Sequence, residues 1–167
     1  PVVEQAEDGS TISFISGRLT ARIALEGPWQ VDYLWDDRVL TSSTARSIGY
    51  AQVEGEGPYV HEQLGLDVGE QIYGLGERFG AFVKNGQSVD IWNADGGTNS
   101  EQAYKNVPFY LSSRGGYGVL VDDAGPVSFE VGSENVSATQ FSVLGERLRY
   151  EVYGGGTPLE VLDRYTA

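Results

Sequence analysis

An all-β fold, an antiparallel sandwich with tight hairpins, is predicted by three observations. Apolar and polar residues alternate over short runs, glycine-rich turn signals recur between the runs, and no helical periodicity is present before Thr157. Leu19, Ala21, Ile23 and Leu25 form the first clear alternation, followed by Val127, Phe129 and Val131 and then by Leu148, Tyr150 and Val152. A strand sends successive side chains to opposite faces, so each run reads as a half-buried strand. Between them stand Glu26-Gly27-Pro28, the segment Glu54-Gly55-Glu56-Gly57-Pro58, Lys84-Asn85-Gly86, Asp95-Gly96-Gly97, Arg114-Gly115-Gly116 and Ala124-Gly125-Pro126. Glycine and proline break regular structure for opposite reasons, freedom and rigidity of φ, so these are the expected turns. Nine of the 23 glycines fall in them.

The pattern changes at Thr157-Pro158-Leu159-Glu160. Threonine accepts hydrogen bonds as a helix N-cap, proline suits the first helical position, and glutamate three residues later completes a capping box. A helix is expected over 157–167, with Leu159, Leu162 and Tyr165 on one stripe packed against the sandwich. It carries no glycine or asparagine stop signal, which makes it read as the start of a connector into a further domain. The expected division is a β-sandwich over 1–156 and the start of that linker helix over 157–167.

A length of 167 residues suits one domain that buries a core without help from disulfides. Cysteine is absent, which excludes disulfides, thiolate metal sites and cysteine nucleophiles and points to the cytoplasm. Eleven Lys and Arg against 24 Asp and Glu leave a formal charge of −13. Phosphate backbones and anionic membranes both repel such a chain, so neither nucleic acid nor membrane is an expected partner. The longest apolar run, near Tyr117-Gly118-Val119-Leu120-Val121, is far below the ~20 residues of a spanning helix. Methionine is missing even at position 1, which suggests a processed N-terminus or a start inside a longer gene. The sequon Asn135-Val136-Ser137 is a triplet common by chance.

The densest group of aromatics, amides and carboxylates lies within 71–111. Trp92, Asn93, Asp95, Tyr104 and Asn106 are residue types found in sugar sites, where an aromatic ring covers the apolar face of a pyranose and amides and carboxylates bind its hydroxyls. The plain alternative is that Trp92 and Tyr104 are core aromatics and Asn93-Ala94-Asp95-Gly96 is a turn. Gly74-Leu75-Gly76-Glu77-Arg78 lacks the further glycine of a dinucleotide loop and the Gly-Lys-Ser/Thr of a nucleotide loop. Its glycines instead suggest close strand packing or a bulge, with Glu77 and Arg78 available for an ion pair. Asp95, Asn99 and Glu101 lack the spacing of a calcium loop, and no metal or cofactor is expected. His61 is the sole histidine, and its surroundings suit a hydrogen-bonded structural role.

From Ile72-Tyr73-Gly74-Leu75-Gly76-Glu77-Arg78-Phe79 onward the chain resembles the N-terminal domain of glycoside hydrolase family 31. The likeness continues through Trp92-Asn93-Ala94-Asp95-Gly96-Gly97-Thr98 and Tyr104-Lys105-Asn106-Val107-Pro108-Phe109-Tyr110, and ends with Thr157-Pro158-Leu159-Glu160-Val161-Leu162-Asp163-Arg164-Tyr165. Asn85-Gly86-Gln87 and the motifs after it are most similar to bacterial α-xylosidases. The resemblance implies a galactose-mutarotase-like supersandwich preceding a (β/α)8 barrel, absent here, that carries both catalytic aspartates of a retaining mechanism. It further implies a loop from the sandwich that reaches the sugar pocket, with Asp95 near substrate and Asn93 and Trp92 beside it. The expected roles are therefore support of the barrel and contact with an α-xyloside or α-glucoside, with homo-oligomer contacts as a further possibility and no complete catalytic cycle in this segment. A free-standing carbohydrate-binding module is the alternative. Epimerase activity is not implied, because it needs a positioned acid and base and His61 has no matching partner.

Overall fold

A computed structural model describes residues 3–94, 103–114 and 116–167, which form fourteen strands and one helix. The first five strands, β1 (Glu4–Glu7), β2 (Thr11–Ser16), β3 (Leu19–Ala24), β4 (Val31–Trp35) and β5 (Arg38–Ser43), make an antiparallel meander in chain order. The β4–β5 hairpin turns through Asp36 and Asp37 at φ 46° and 62°, and two positive values in succession suit the right-handed twist of the flanking strands. Arg18, in the neighbouring turn between β2 and β3, pairs with Asp36.

Two further sheets face each other across the main core. One contains β6 (Gly49–Val53), β7 (Gly57–Gly65), β9 (Gln87–Ile91), β12 (Val127–Val131) and β13 (Ala138–Leu144) in the spatial order β6-β7-β13-β12-β9. The other contains β8 (Ile72–Gly74), β10 (Phe109–Ser112), β11 (Tyr117–Val121) and β14 (Tyr150–Gly154) in the order β14-β11-β10-β8. Alternation decides which side chains enter the core: in β12, Val127, Phe129 and Val131 are buried while Ser128 and Glu130 are not. Opposite them stand Ile72, Tyr110, Tyr117, Val119 and Val121, with Phe141 and Leu64 filling the centre. Trp35 and Leu40 bring the first meander into the same core. Of the three alternations read from the sequence, all but Leu25 and Leu148 fall on strands, and of the described turn glycines, Gly27, Gly55, Gly57, Gly86 and Gly116 have positive φ, which non-glycine residues rarely adopt, while Gly125 does not.

The helix α1 (Pro158–Thr166) starts as its sequence predicts. Thr157 Oγ1 accepts from Glu160 N at 3.3 Å, and Glu160 Oε2 accepts from Gly156 N at 2.7 Å. Its packed face differs from the expected stripe. Val161 is fully buried against Gly155, and Tyr165 stacks on Phe109 with centroids 4.1 Å apart, while Leu159 remains 73% exposed and Leu162 37%. Gly155 supplies the hollow: a Cβ there would stand 2.9 Å from Val161 Cγ2. That hollow and the Phe109 ring select the Val161/Tyr165 pair, which share a face at i, i+4, and turn Leu159 away.

Candidate functional site: an asparagine clamp beside an aromatic cleft

The site is built on three successive residues with positive φ, Gly74 (105°), Leu75 (64°) and Gly76 (88°). At Gly74 a Cβ would lie 2.6 Å from the Phe109 carbonyl oxygen, and at Gly76 it would overlap that of Lys105. The glycines therefore permit close approach of two backbones, as their spacing suggested. Leu75 N donates to Phe109 O at 2.9 Å and Glu77 N to Lys105 O at 2.9 Å, zipping 75–77 along 105–109.

This approach places Arg78 between Leu75 and Asn106. Its Nε donates to Leu75 O at 3.0 Å, and Nη2 donates to Asp90 O and to Asn106 Oδ1. Asn106 then joins the two stems around 95–102. Its Nδ2 donates to Ala103 O at 2.6 Å, Trp92 O at 2.9 Å and Asn93 Oδ1 at 3.0 Å, and its backbone N donates to Asn93 Oδ1 at 3.1 Å. Asn93 forms a bridge to Ala103, and Ala94 N donates to Ala103 O at 3.0 Å. Glu77 bonds Lys105 Nζ at 2.7 Å and not the neighbouring Arg78, so the expected local ion pair is replaced by contacts across the clamp.

Against the clamp lies a cleft of about 670 Å³, whose lining includes Arg78, Phe79, Ser88, Asp90, Trp92 and Ala94. Phe79 and Trp92 are 74% and 59% exposed, which makes both rings available to a ligand. The cleft floor includes Lys84, a buried lysine whose Nζ donates to Ala81 O at 2.7 Å. Burial, with the positive charge of Arg78 second, holds its pKa below the ordinary lysine value. Exposed rings beside hydroxyl, carboxylate and amide groups can cover a sugar face and bind its edge.

Of the residues singled out in the sequence, Trp92 sits on the cleft rim and Asn93 sits in the clamp, its carbonyl oxygen engaged by Asn106. Asp95 lies outside the described residues, as do Asn99 and Glu101. Tyr104 is 65% exposed, so it is not a core aromatic. His61 is structural by packing: its ring occupies the space where Gly49 lacks a side chain on the adjacent strand, and among the described residues it makes no hydrogen bond. Phe79 and Lys84 join the site without having been singled out by sequence. Only the proximity of Phe79 to the glycine motif points toward it.

Two buried carboxylates stand apart from this site. Glu62 accepts from Ser43 Oγ at 2.9 Å, from Gln63 N at 3.0 Å and from Tyr150 at 3.5 Å, and Tyr150 and Tyr33 share a hydrogen bond of 2.7 Å. Glu70 accepts from Ser112 Oγ at 2.5 Å and Tyr117 at 2.7 Å. Desolvation raises both carboxyls above the ordinary glutamate value, and the hydrogen bonds counter part of the rise. At 2% and 5% exposure both are buried, with their hydrogen bonds made inside the protein. Among the described residues no group of His, Cys, Asp or Glu is arranged to hold a metal ion, and no helix is long and apolar enough to cross a membrane.

Comparison with known proteins fits this geometry. The family model Glycosyl hydrolase 31 N-terminal galactose mutarotase-like domain matches residues 2–130. The chain is 48% identical to the α-xylosidase XylQ of Lactiplantibacillus pentosus over 99% of its own length and 22% of that protein. It is 44% identical to an α-xylosidase of Emericella nidulans over 96% of its length and 23% of that protein. Among solved structures, the glucose complex of a family 31 dextranase from Flavobacterium johnsoniae superposes with a TM-score of 0.81 at 27% identity, covering 98% of this chain and 20% of that one. A family 31 α-xylosidase from a soil metagenome, complexed with xylose, shares the fold with a TM-score of 0.80 at 19% identity, over 99% of this chain and 26% of that one. The chain thus spans about a quarter or less of the length of the relatives it matches. By profile, sequence and fold together, this chain belongs to glycoside hydrolase family 31, as its N-terminal galactose mutarotase-like domain.

Proposed function

We propose that this chain is the accessory N-terminal domain of a retaining α-glycosidase acting on α-xylosides, and that it supports a catalytic (β/α)8 barrel and lends a loop to the sugar pocket. The carrying observation is the coincidence of the clamp with the cleft: Asn106 fixes both stems of 95–102 beside the exposed rings of Trp92 and Phe79. Support for the substrate class comes from the two α-xylosidase relatives at 48% and 44% identity. In this reading Trp92 covers an apolar sugar face and Asp95 accepts from sugar hydroxyls. Asn93 gives its carbonyl oxygen to the clamp and keeps its amide for the ligand. Catalytic carboxylates belong to the barrel, and residues 157–167 begin the link to it. Cytoplasmic residence, consistent with the absence of cysteine, and assembly into homo-oligomers complete the proposal.

The test is hydrolysis of an aryl α-xyloside and an aryl α-glucoside by the polypeptide encoded by the complete gene. Faster turnover of the xyloside, with KM raised in Trp92→Ala, supports the reading. Turnover of neither substrate by a full-length protein contradicts it. Millimolar or tighter sugar binding by the 167-residue chain on its own favours the binding-module alternative.

A further inference from the structure

Lys84 is 4% exposed, lines the aromatic cleft and carries three donors on its ammonium group. One donor goes to Ala81 O at 2.7 Å, and among the described residues no carboxylate pairs with it. This is unusual in a chain with 24 acidic side chains against 11 basic ones. The exposed cations Arg18, Lys105, Arg114 and Arg149 each hold a carboxylate, while the buried lysine holds none. A buried charge is costly unless a partner of opposite sign accompanies it. Arg78 deepens the imbalance by adding a second positive charge to the same cleft, where it joins burial in lowering the Lys84 pKa. The one carboxylate among the described lining residues is Asp90, which accepts from Ser128 Oγ at 2.8 Å.

We propose that Lys84 anchors an anion subsite in this cleft, and that its ligand is a carboxylate-bearing sugar, a uronate, whose ring lies against Trp92 or Phe79 while its carboxylate reaches the ammonium. Three observations select that class. The exposed rings of Trp92 and Phe79 offer a surface to a sugar ring, which a bare ion does not use. A single unpaired ammonium matches a monoanion, because Arg78 already donates to Leu75 O, Asp90 O and Asn106 Oδ1. Asp90 in the same cleft repels a second negative charge, which disfavours a phosphate dianion. A neutral sugar would leave the ammonium without a counter-charge. Xylose has no carboxyl group, so the acidic unit is a part of the substrate other than the xylosyl group that is released. The inference rests on the reading that this cleft takes a sugar, and adds the charge of that sugar.

Calorimetric titration of the polypeptide encoded by the complete gene tests it, with D-glucuronate and D-glucose, which differ only at C6, and inorganic phosphate as the third ligand. Glucuronate should bind at least about tenfold more tightly than glucose, and phosphate more weakly than glucuronate. In Lys84→Met the ratio of the two sugar affinities should fall to about one. Lys84→Arg keeps the charge and should keep most of the preference. If Lys84 only caps the Ala81 carbonyl, Lys84→Met lowers the melting temperature and leaves the ratio where it was, which overturns the proposal. The two sugars are also compared in the unsubstituted protein, so equal affinities there overturn it even where a variant fails to fold. Phosphate bound as tightly as glucuronate overturns it as well, because it identifies a site for a bare oxyanion. Turnover of an aryl α-xyloside by the same preparation separates the two readings. Turnover without a glucuronate preference removes this inference alone, and a glucuronate preference without turnover removes only the α-xyloside reading.

Discussion

Asn106 donates from Nδ2 to Asn93 Oδ1 at 3.0 Å while its own Oδ1 accepts from Arg78, so one side chain joins both stems of the 95–102 segment to the glycine-permitted turn below. Replacing it by alanine removes these bonds and leaves two backbone carbonyls and a guanidinium to find other partners. The expected cost is about 1–3 kcal/mol in the 167-residue chain, measured by urea denaturation. Emission from Trp92 should shift as well, since its carbonyl is held by the same group. An unchanged midpoint with unchanged emission would show that the clamp contributes nothing.

The turn beneath the clamp makes its own prediction. Gly76 has φ of 88°, and a Cβ there overlaps the Lys105 carbonyl oxygen. Gly76→Ala should destabilise the chain by roughly 1–3 kcal/mol through strain and loss of the zipped backbone. Gly69→Ala shares the positive φ of 78° but meets no neighbouring atom within 4 Å, and is the control for conformation alone. Equal losses in the two variants would assign the whole effect to φ and none to close approach.

Much of this architecture is legible in the sequence. Period-two alternation at 127–131 names its strand because burial in a sheet is a local property of face. The capping box at Thr157 names its helix because the bonds that start a helix lie within four residues. The clamp is not legible, since Arg78 and Asn106 are 28 residues apart and nothing local distinguishes this asparagine from one that binds a sugar. The packed face of α1 is misread from sequence for a related reason. Leu159 is the more apolar choice by composition, yet the hollow that selects Val161 belongs to Gly155 and the ring that selects Tyr165 belongs to Phe109. The Asp36-Asp37 hairpin carries no glycine to announce it, and the residue that bonds Asp36, Arg18, lies 18 positions earlier in the chain.

That correction to the helix can be measured directly. Val161→Ala removes methyl groups that are fully buried and should cost on the order of 1–2 kcal/mol. Leu159→Ala, at a position 73% exposed, should leave the 167-residue chain within about 0.5 kcal/mol of its starting stability. The reverse ranking would restore the stripe expected from sequence.

Glu62 gives the sandwich a pH dependence of definite sign. Its folded pKa is raised by desolvation, so its contribution to stability is fully present below the ordinary glutamate value and is lost as pH rises through the folded value. Glu62→Gln keeps the shape and cannot ionise. The variant should therefore gain in melting temperature relative to the parent as pH rises from about 4 to about 7. The difference between the two proteins isolates Glu62 from carboxylates such as Asp8 and Asp32, whose lowered values act in the opposite sense. A difference that is constant with pH would mean that Glu62 titrates alike in both states.

The central claim is that this domain touches the sugar through the loop held by Asn106, with Asp95 as the contact. It is tested most directly by kcat/KM of Asp95→Ala in the full-length protein on an α-xyloside, measured beside its melting temperature. A charge-assisted hydrogen bond to substrate, lost without loss of a catalytic carboxylate, corresponds to about 1.5–3 kcal/mol, or a fall in kcat/KM of roughly 10- to 150-fold. The account predicts that fall with a melting temperature unchanged within about a degree. Unchanged kcat/KM, with any effect confined to stability, would contradict it.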